Sequence, residues 1–203
     1  MNSEKTRVLP LIVAALLVPN LGPAQGTFEY DQQSADEISG GGGVFSIAAS
    51  QPVGQSFTPA LTSIGFVRLA VAGSAGTVMY VNLRTSSITG PVLGVSETIL
   101  FTSSATGHSN FFFATPVALT PGATYFLQPT LQSGSGFIVA YNYDYPGGTA
   151  YFNGSPDVYF RDLWFREGII VPEPSLGLLW ATTAGVLVWR NWRGAGRQRI
   201  WRK

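Results

Sequence analysis

The chain has 203 residues, 45% hydrophobic and 11% charged, with a formal net charge of +1 and no cysteine. That balance hides an asymmetry: residues 27–171 carry four arginines and nine acidic residues, a net −5, while the other basic residues lie near the two ends. A mildly acidic body does not favour nucleic acid or anionic polymers as partners, and one histidine with no cysteine excludes disulfide staples, a thiol nucleophile and a His–Cys zinc set.

At the N-terminus Lys5 and Arg7 precede an apolar stretch over residues 8–18, followed by Gly22, Ala24 and Gly26. A charged start, an apolar run of about 7–15 residues and small residues after it describe a secretory signal peptide. Cleavage after Ala24 or after Gly26 both satisfy the small-residue pattern; the second is preferred, giving a leader over residues 1–26.

The body, residues 27–170, is long enough for a single domain with one core. Without disulfides, packing alone must hold it. Its pattern is strand after strand: Gly, Ser, Thr and Pro punctuate short segments filled with aromatic and β-branched residues. Val67, Leu69 and Val71 share one face of a predicted strand, with Phe66, Arg68 and Ala70 on the other. Met79, Val81 and Leu83 point inward from the next, and Tyr80, Asn82 and Arg84 outward. Further strands are expected over residues 110–113, 124–131, 137–145 and 157–165. Pro121-Gly122 reads as a tight turn, with Gly122 supplying positive φ; Asn153-Gly154 reads as a hairpin. Gly40 to Gly43 read as a loop. Strands with one apolar face each must pair face to face, so the expected architecture is all-β, a jelly-roll-like β-sandwich.

Catalytic chemistry has little material. His108 sits in Thr106-Gly107-His108-Ser109-Asn110, a stretch that reads as a solvated polar turn. No catalytic residue is assigned. Paired carboxylates such as Asp144 with Asp157 or Asp162 keep a glycan-active enzyme open as the alternative. No metal ligand set is assigned. Calcium is the one cofactor the acids leave open, through Asp31, Asp36 and Glu37 or the late Asp144 and Asp157, against the ordinary reading of solvated acids. Tyr141, Tyr143 and Tyr145 alternate along one predicted strand face, where Phe137 and Val139 precede them. Tyr141 is assigned to the core. Tyr143 and Tyr145, with Asn142 and Asp144, are candidate glycan contacts: planar rings to stack on sugars, polar groups to bond hydroxyls.

After the body come Val171-Pro172-Glu173-Pro174-Ser175 and an apolar run over residues 176–189. As a helix those 14 residues span about 21 Å, short of the roughly 30 Å bilayer core. Ser175 at one end and Asn191-Trp192 at the other extend it to a predicted transmembrane helix over residues 175–192. Trp180, Trp189 and Trp192 suit the interfacial belt. Arg190, Arg193, Arg197 and Arg199, in a basic tail over residues 190–203, then act as a stop-transfer signal held on the cytoplasmic side. Pro172 and Pro174 lack a donor and fix φ near −65°, so residues 171–174 stay extended, as a processing enzyme's substrate must.

The order Pro-Glu-Pro, apolar helix, arginine cluster resembles the PEP-CTERM sorting signal of Gram-negative bacteria over residues 171–203. The resemblance implies recognition by an intramembrane exosortase and an extracellular-polysaccharide or biofilm-matrix setting. The body is more loosely similar to sandwich domains carried by such proteins, through Gln55-Ser56-Phe57-Thr58, Leu119-Thr120-Pro121-Gly122, Tyr125 and Asp162-Leu163-Trp164-Phe165. Together these readings lead to an exported, non-enzymatic surface or matrix protein. It is anchored by its C-terminal helix, then released to the cell surface or medium, and is a candidate binder of extracellular polysaccharide. A purely structural coat protein is the third reading.

Overall fold

The computed structural model describes residues 26–38 and 41–172. The predicted leader up to residue 25 lies outside the described residues. So do Glu173, Pro174 and Ser175, the helix predicted over residues 175–192, and Arg190, Arg193, Arg197 and Arg199. Among the described residues, no helix is long and apolar enough to cross a membrane.

Residues Gly26–Val171 form one unit, an all-β sandwich of two antiparallel sheets. The first sheet contains β1 (Thr27–Gln33), β2 (Gly43–Ser46), β4 (Ser63–Gly73), β8 (Ala105–Ala118), β10 (Gly136–Tyr141), β13 (Asp162–Leu163) and β14 (Phe165–Val171). The second contains β3 (Gly54–Phe57), β5 (Val78–Thr85), β6 (Val92–Val95), β7 (Ile99–Leu100), β9 (Tyr125–Ser133), β11 (Ala150–Phe152) and β12 (Ser155–Pro156). The first runs β1-β14-β4-β10-β13, with β8 also on β4 and β2 also on β10; the second runs β12-β11-β3-β9-β5-β6, with β7 on β5.

Alternation places the core. Val67, Leu69 and Val71 from β4 meet Met79, Val81 and Leu83 from β5, as predicted, with Phe111, Leu127, Ile138 and Phe165 filling between them. Each such side chain fully buried contributes about 1.5–3 kcal/mol before entropy is charged. The turns follow their sequences. Gly122 has φ 79°, and Ala123 N–H donates to Thr120 O at 3.1 Å. The Tyr125 hydroxyl then accepts Thr120 N–H at 2.9 Å, tying strand to corner. Asn153 and Gly154, at φ 51° and 76°, close the β11–β12 hairpin.

Four expectations are corrected. The outward face of β4 is not solvated: Phe66 is covered by Phe28 and Tyr30, and Ala70 packs with Ala35 and Trp164. His108 is not in a turn, because the segment around it continues β8, where His108 pairs with Ala70. Gly43 belongs to β2, paired with Ala140, while Gly41 and Gly42 keep the positive φ of a loop. Tyr141 is 51% exposed. The inward residues of β10 are Ile138 and Ala140, one step out of phase with the face that carries Phe137, Val139 and Tyr141.

Candidate functional site

β10 ends at Tyr141, so the tyrosines predicted to share one strand face do not. The chain turns at Asp144, which holds φ 56°, the left-handed region that Asp tolerates better than most residues. The turn sends Tyr143 and Tyr145 to different places.

Tyr145 is drawn inward. Its ring meets Phe165 edge-on at 5.1 Å, its N–H donates to Asp162 Oδ2 at 3.1 Å, and its hydroxyl donates to Gln32 Oε1 at 3.0 Å. Burial pushes its phenol up to about 12. Asp162 is buried with both oxygens engaged, since Gln55 Nε2 donates to Oδ1 at 2.9 Å. Burial raises the Asp162 carboxyl above its usual range, although the bonds from Gln55 and Tyr145 oppose the shift. Gln55 in turn accepts Leu163 N–H at 2.8 Å, so this buried network ties β3 to β13.

Residues 157–161, predicted as strand, form a clamped turn instead. Asp157 Oδ2 accepts Tyr159 N–H at 3.1 Å, Arg161 N–H at 3.0 Å and Arg161 Nε–H at 3.0 Å, while Arg161 Nη2 pairs with Oδ1. The Arg161 guanidinium holds the Asp157 carboxyl below its usual range. Arg161 also lies over the rings of Phe45, Tyr159 and Phe152, at 4.6, 5.0 and 5.2 Å. The clamp presents Val158, Tyr159 and Phe160 to solvent at 76, 71 and 80% exposure. Phe160 has φ 55°, a conformation that a bulky residue keeps only when its surroundings impose it.

Beside Phe160 lies a cavity of about 240 Å³, lined also by Asn142, Asp144, Tyr145, Thr149 and Asp162. Three of the four predicted contacts, Asn142, Asp144 and Tyr145, therefore come together here. The arrangement sets an exposed aromatic plane next to an amide, a carboxylate and a threonine. A ligand with both apolar C–H faces and hydroxyl groups fits such a mixture.

Tyr143 lines a different concavity of about 290 Å³ on the outer face of the first sheet, with Glu37, Ala70, His108, Val139 and Trp164. Its hydroxyl donates to Gly41 O at 3.3 Å, and burial, with Tyr141 adding to it, raises its phenol. The polar groups there are committed to one another. Glu37 accepts from Arg68 Nη2 at 3.0 Å and Arg166 Nη1 at 3.1 Å, and His108 Nδ1 lies 3.0 Å from it. Arg68, with Arg166 beside it, holds the Glu37 carboxyl below its usual range against a desolvation that opposes them. His108 stacks on Trp164 at 3.9 Å, and Trp164 Nε1–H donates to Asp36 O at 3.2 Å.

The early acids do not converge as a calcium set. Asp31 Oδ2 accepts the N–H groups of Ala60 and Leu61, Asp36 Oδ1 accepts Ile38 N–H, and Glu37 holds the arginines. Among the described residues no group of three or more His, Asp or Glu gathers to hold a metal. Sequence reasoning missed Tyr159 and Phe160. The available signal was Asp157 and Arg161, opposite charges four apart around three large side chains. No family model matches the chain, and no curated protein matches it either.

Proposed function

We propose that this is an exported, non-enzymatic protein of the cell surface or extracellular matrix that binds glycan in the cavity beside Phe160. The observation that carries the reading is the Asp157–Arg161 clamp. It holds an aromatic tip in solvent, beside Asn142, Asp144 and Thr149. Exposing three consecutive large side chains has no benefit for folding, and a patch of this kind marks an interaction site. Asp144 and the net negative body favour a neutral glycan over an acidic one.

The glycan-active enzyme is the second reading, because Asp144 and Asp162 line one cavity. Asp162 has both oxygens bonded within the fold, which leaves one carboxylate available and favours binding over hydrolysis. We read the sandwich as jelly-roll-like, since the chain passes repeatedly from one sheet to the other between β2 and β13.

Delivery follows from the sequence. The leader exports the body, and Val171-Pro172-Glu173-Pro174-Ser175 with the following apolar run and arginines marks a PEP-CTERM substrate of an exosortase. The helix anchors the chain in the membrane until processing releases the body. Intact mass of the surface and medium forms tests this: loss of residues 1–26 and of the segment beyond Ser175 is expected, and retention of both overturns it. Titration with neutral and with uronic-acid oligosaccharides tests the binding site. Heat from the neutral set alone supports it, and no heat from either overturns it.

A further inference from the structure

Glu167 lies on the inner face of β14, two residues after Phe165. It is 0% exposed, no side chain bonds either carboxylate oxygen, and the Gln32 backbone N–H across the ladder is the donor that acts on it. The nearby arginines do not reach it: Arg68 and Arg166 engage Glu37 on the opposite face of the sheet.

Across from Glu167 the register of β1 slips. Tyr30 pairs with Gly168 and Gln32 with Glu167, which leaves Asp31 as an extra residue. A bulge re-aims the side chains around it. Tyr30 and Gln33 reach the outer-face residues Phe66 and Arg166. Asp31 and Gln32 both turn inward, Asp31 to the Ala60 and Leu61 amides and Gln32 to the Tyr145 hydroxyl. Asp31 Oδ2 takes both amides, at 2.8 and 2.9 Å, and Oδ1 accepts Gln32 Nε2–H at 3.2 Å. The bulge thus leaves a second carboxylate, Asp31, close enough for its charge to act on Glu167.

An ionised carboxylate buried without a counter-charge is among the costliest arrangements in a protein interior. Burial, with the Asp31 charge beside it and the Gln32 backbone N–H opposing, pushes the Glu167 carboxyl up to about 8, so without a cation it is held as the neutral acid near neutral pH. We propose that Glu167 and Asp31 form a buried site for a hard divalent cation of the calcium class, with both Glu167 oxygens, Asp31 Oδ1 and Gln32 Oε1 as the protein's side-chain donors. Two carboxylates balance the charge of such an ion. A donor set made only of oxygen selects calcium or magnesium over zinc or copper. Calcium accepts irregular, high coordination, bidentate carboxylates and backbone carbonyls, whereas magnesium demands a near-octahedral shell. The site joins the first and last strands of the first sheet, and the Tyr145 hydroxyl on Gln32 Oε1 links it to the cavity beside Phe160.

Equilibrium dialysis of chelator-treated full chain against radioactive calcium tests the site, together with thermal melts of wild type, Glu167→Gln and Glu37→Gln. The wild type binds one ion per chain, and its Tm rises by about 5–10 °C at calcium about a hundredfold above Kd. Glu37→Gln keeps that response. Glu167→Gln binds no calcium, and its Tm is the same in chelator and in calcium. Absence of bound calcium in the wild type overturns the site whatever the variants do, and so does an undiminished calcium response in Glu167→Gln.

Discussion

Removing the carboxylate of the clamp with Asp157→Ala tests how the aromatic tip is held. Asp157 Oδ2 accepts two backbone N–H groups and Arg161 Nε–H, and Oδ1 pairs with Arg161 Nη2. The Asp157 side chain is 4% exposed and that of Arg161 is 25% exposed. Breaking a buried pair by deleting one partner costs about 3–5 kcal/mol. Here Arg161 retains solvent and the rings of Phe45, Phe152 and Tyr159, so the loss is about 2–3 kcal/mol, at and below the low end of that range. For a domain of this size that is a fall in Tm of about 5–10 °C. Asp157→Asn restores an acceptor for the two amides without the ion pair and lies between. The acid dependence has a definite sign. The folded carboxyl sits below its ordinary 3.8 because Arg161 bonds it, so its contribution is complete above that value and is lost as pH falls through the lower folded value. Urea titrations followed by circular dichroism, at neutral pH and at about pH 2, measure both effects. A variant within about 0.5 kcal/mol of wild type, or a difference that persists undiminished in acid, would refute the reasoning.

Phe111→Ala opens a hole between the sheets, where Phe111 is fully buried, and is expected to cost about 3–5 kcal/mol by urea titration. Glu37→Gln removes the charge shared by Arg68, Arg166 and His108; this half-exposed network loses about 1 kcal/mol, a difference that shrinks at raised salt in the same titration. Tyr143→Ala leaves glycan retention unchanged, because Tyr143 lines the outer-face concavity and not the cavity of Asn142 and Asp144; weakened retention in a pull-down would count against that separation.

Alternation made the core legible. Val67, Leu69 and Val71 read as one face, and Met79, Val81 and Leu83 as inward, because period-2 patterning sorts a strand into two faces. The same logic failed on the other face of β4. Phe66 and Ala70 are buried by chain distant in sequence, Phe28, Tyr30, Ala35 and Trp164. Turns carried by Gly122 and by Asn153-Gly154 were readable because their backbone conformations restrict residue type. His108 was misplaced because Thr, Gly, Ser and Asn around it resemble a turn, while the pairing of β8 with β4 overrides local preference. The four glycan candidates read as one strand segment, and the structure parts them: Asn142, Asp144 and Tyr145 line one cavity and Tyr143 another. Asp144 at positive φ breaks the alternation on which a shared tyrosine face depended, leaving Tyr145 a core residue. The exposure of Phe160 and the burial of Glu167 have no local signature, since both exist only once the sheets are assembled.

Glycan binding beside the clamped tip is tested most directly by affinity electrophoresis in gels containing polysaccharide from the producing cells, comparing wild type with Phe160→Ala. Phe160 is 80% exposed, so the variant should melt with the wild type, within about 0.5 kcal/mol. Retardation of the wild type that falls about tenfold in Phe160→Ala is the expected result, the effect of about 1.4 kcal/mol of lost ring contact. A wild type that migrates freely, or a variant retarded as strongly as the wild type, would contradict it.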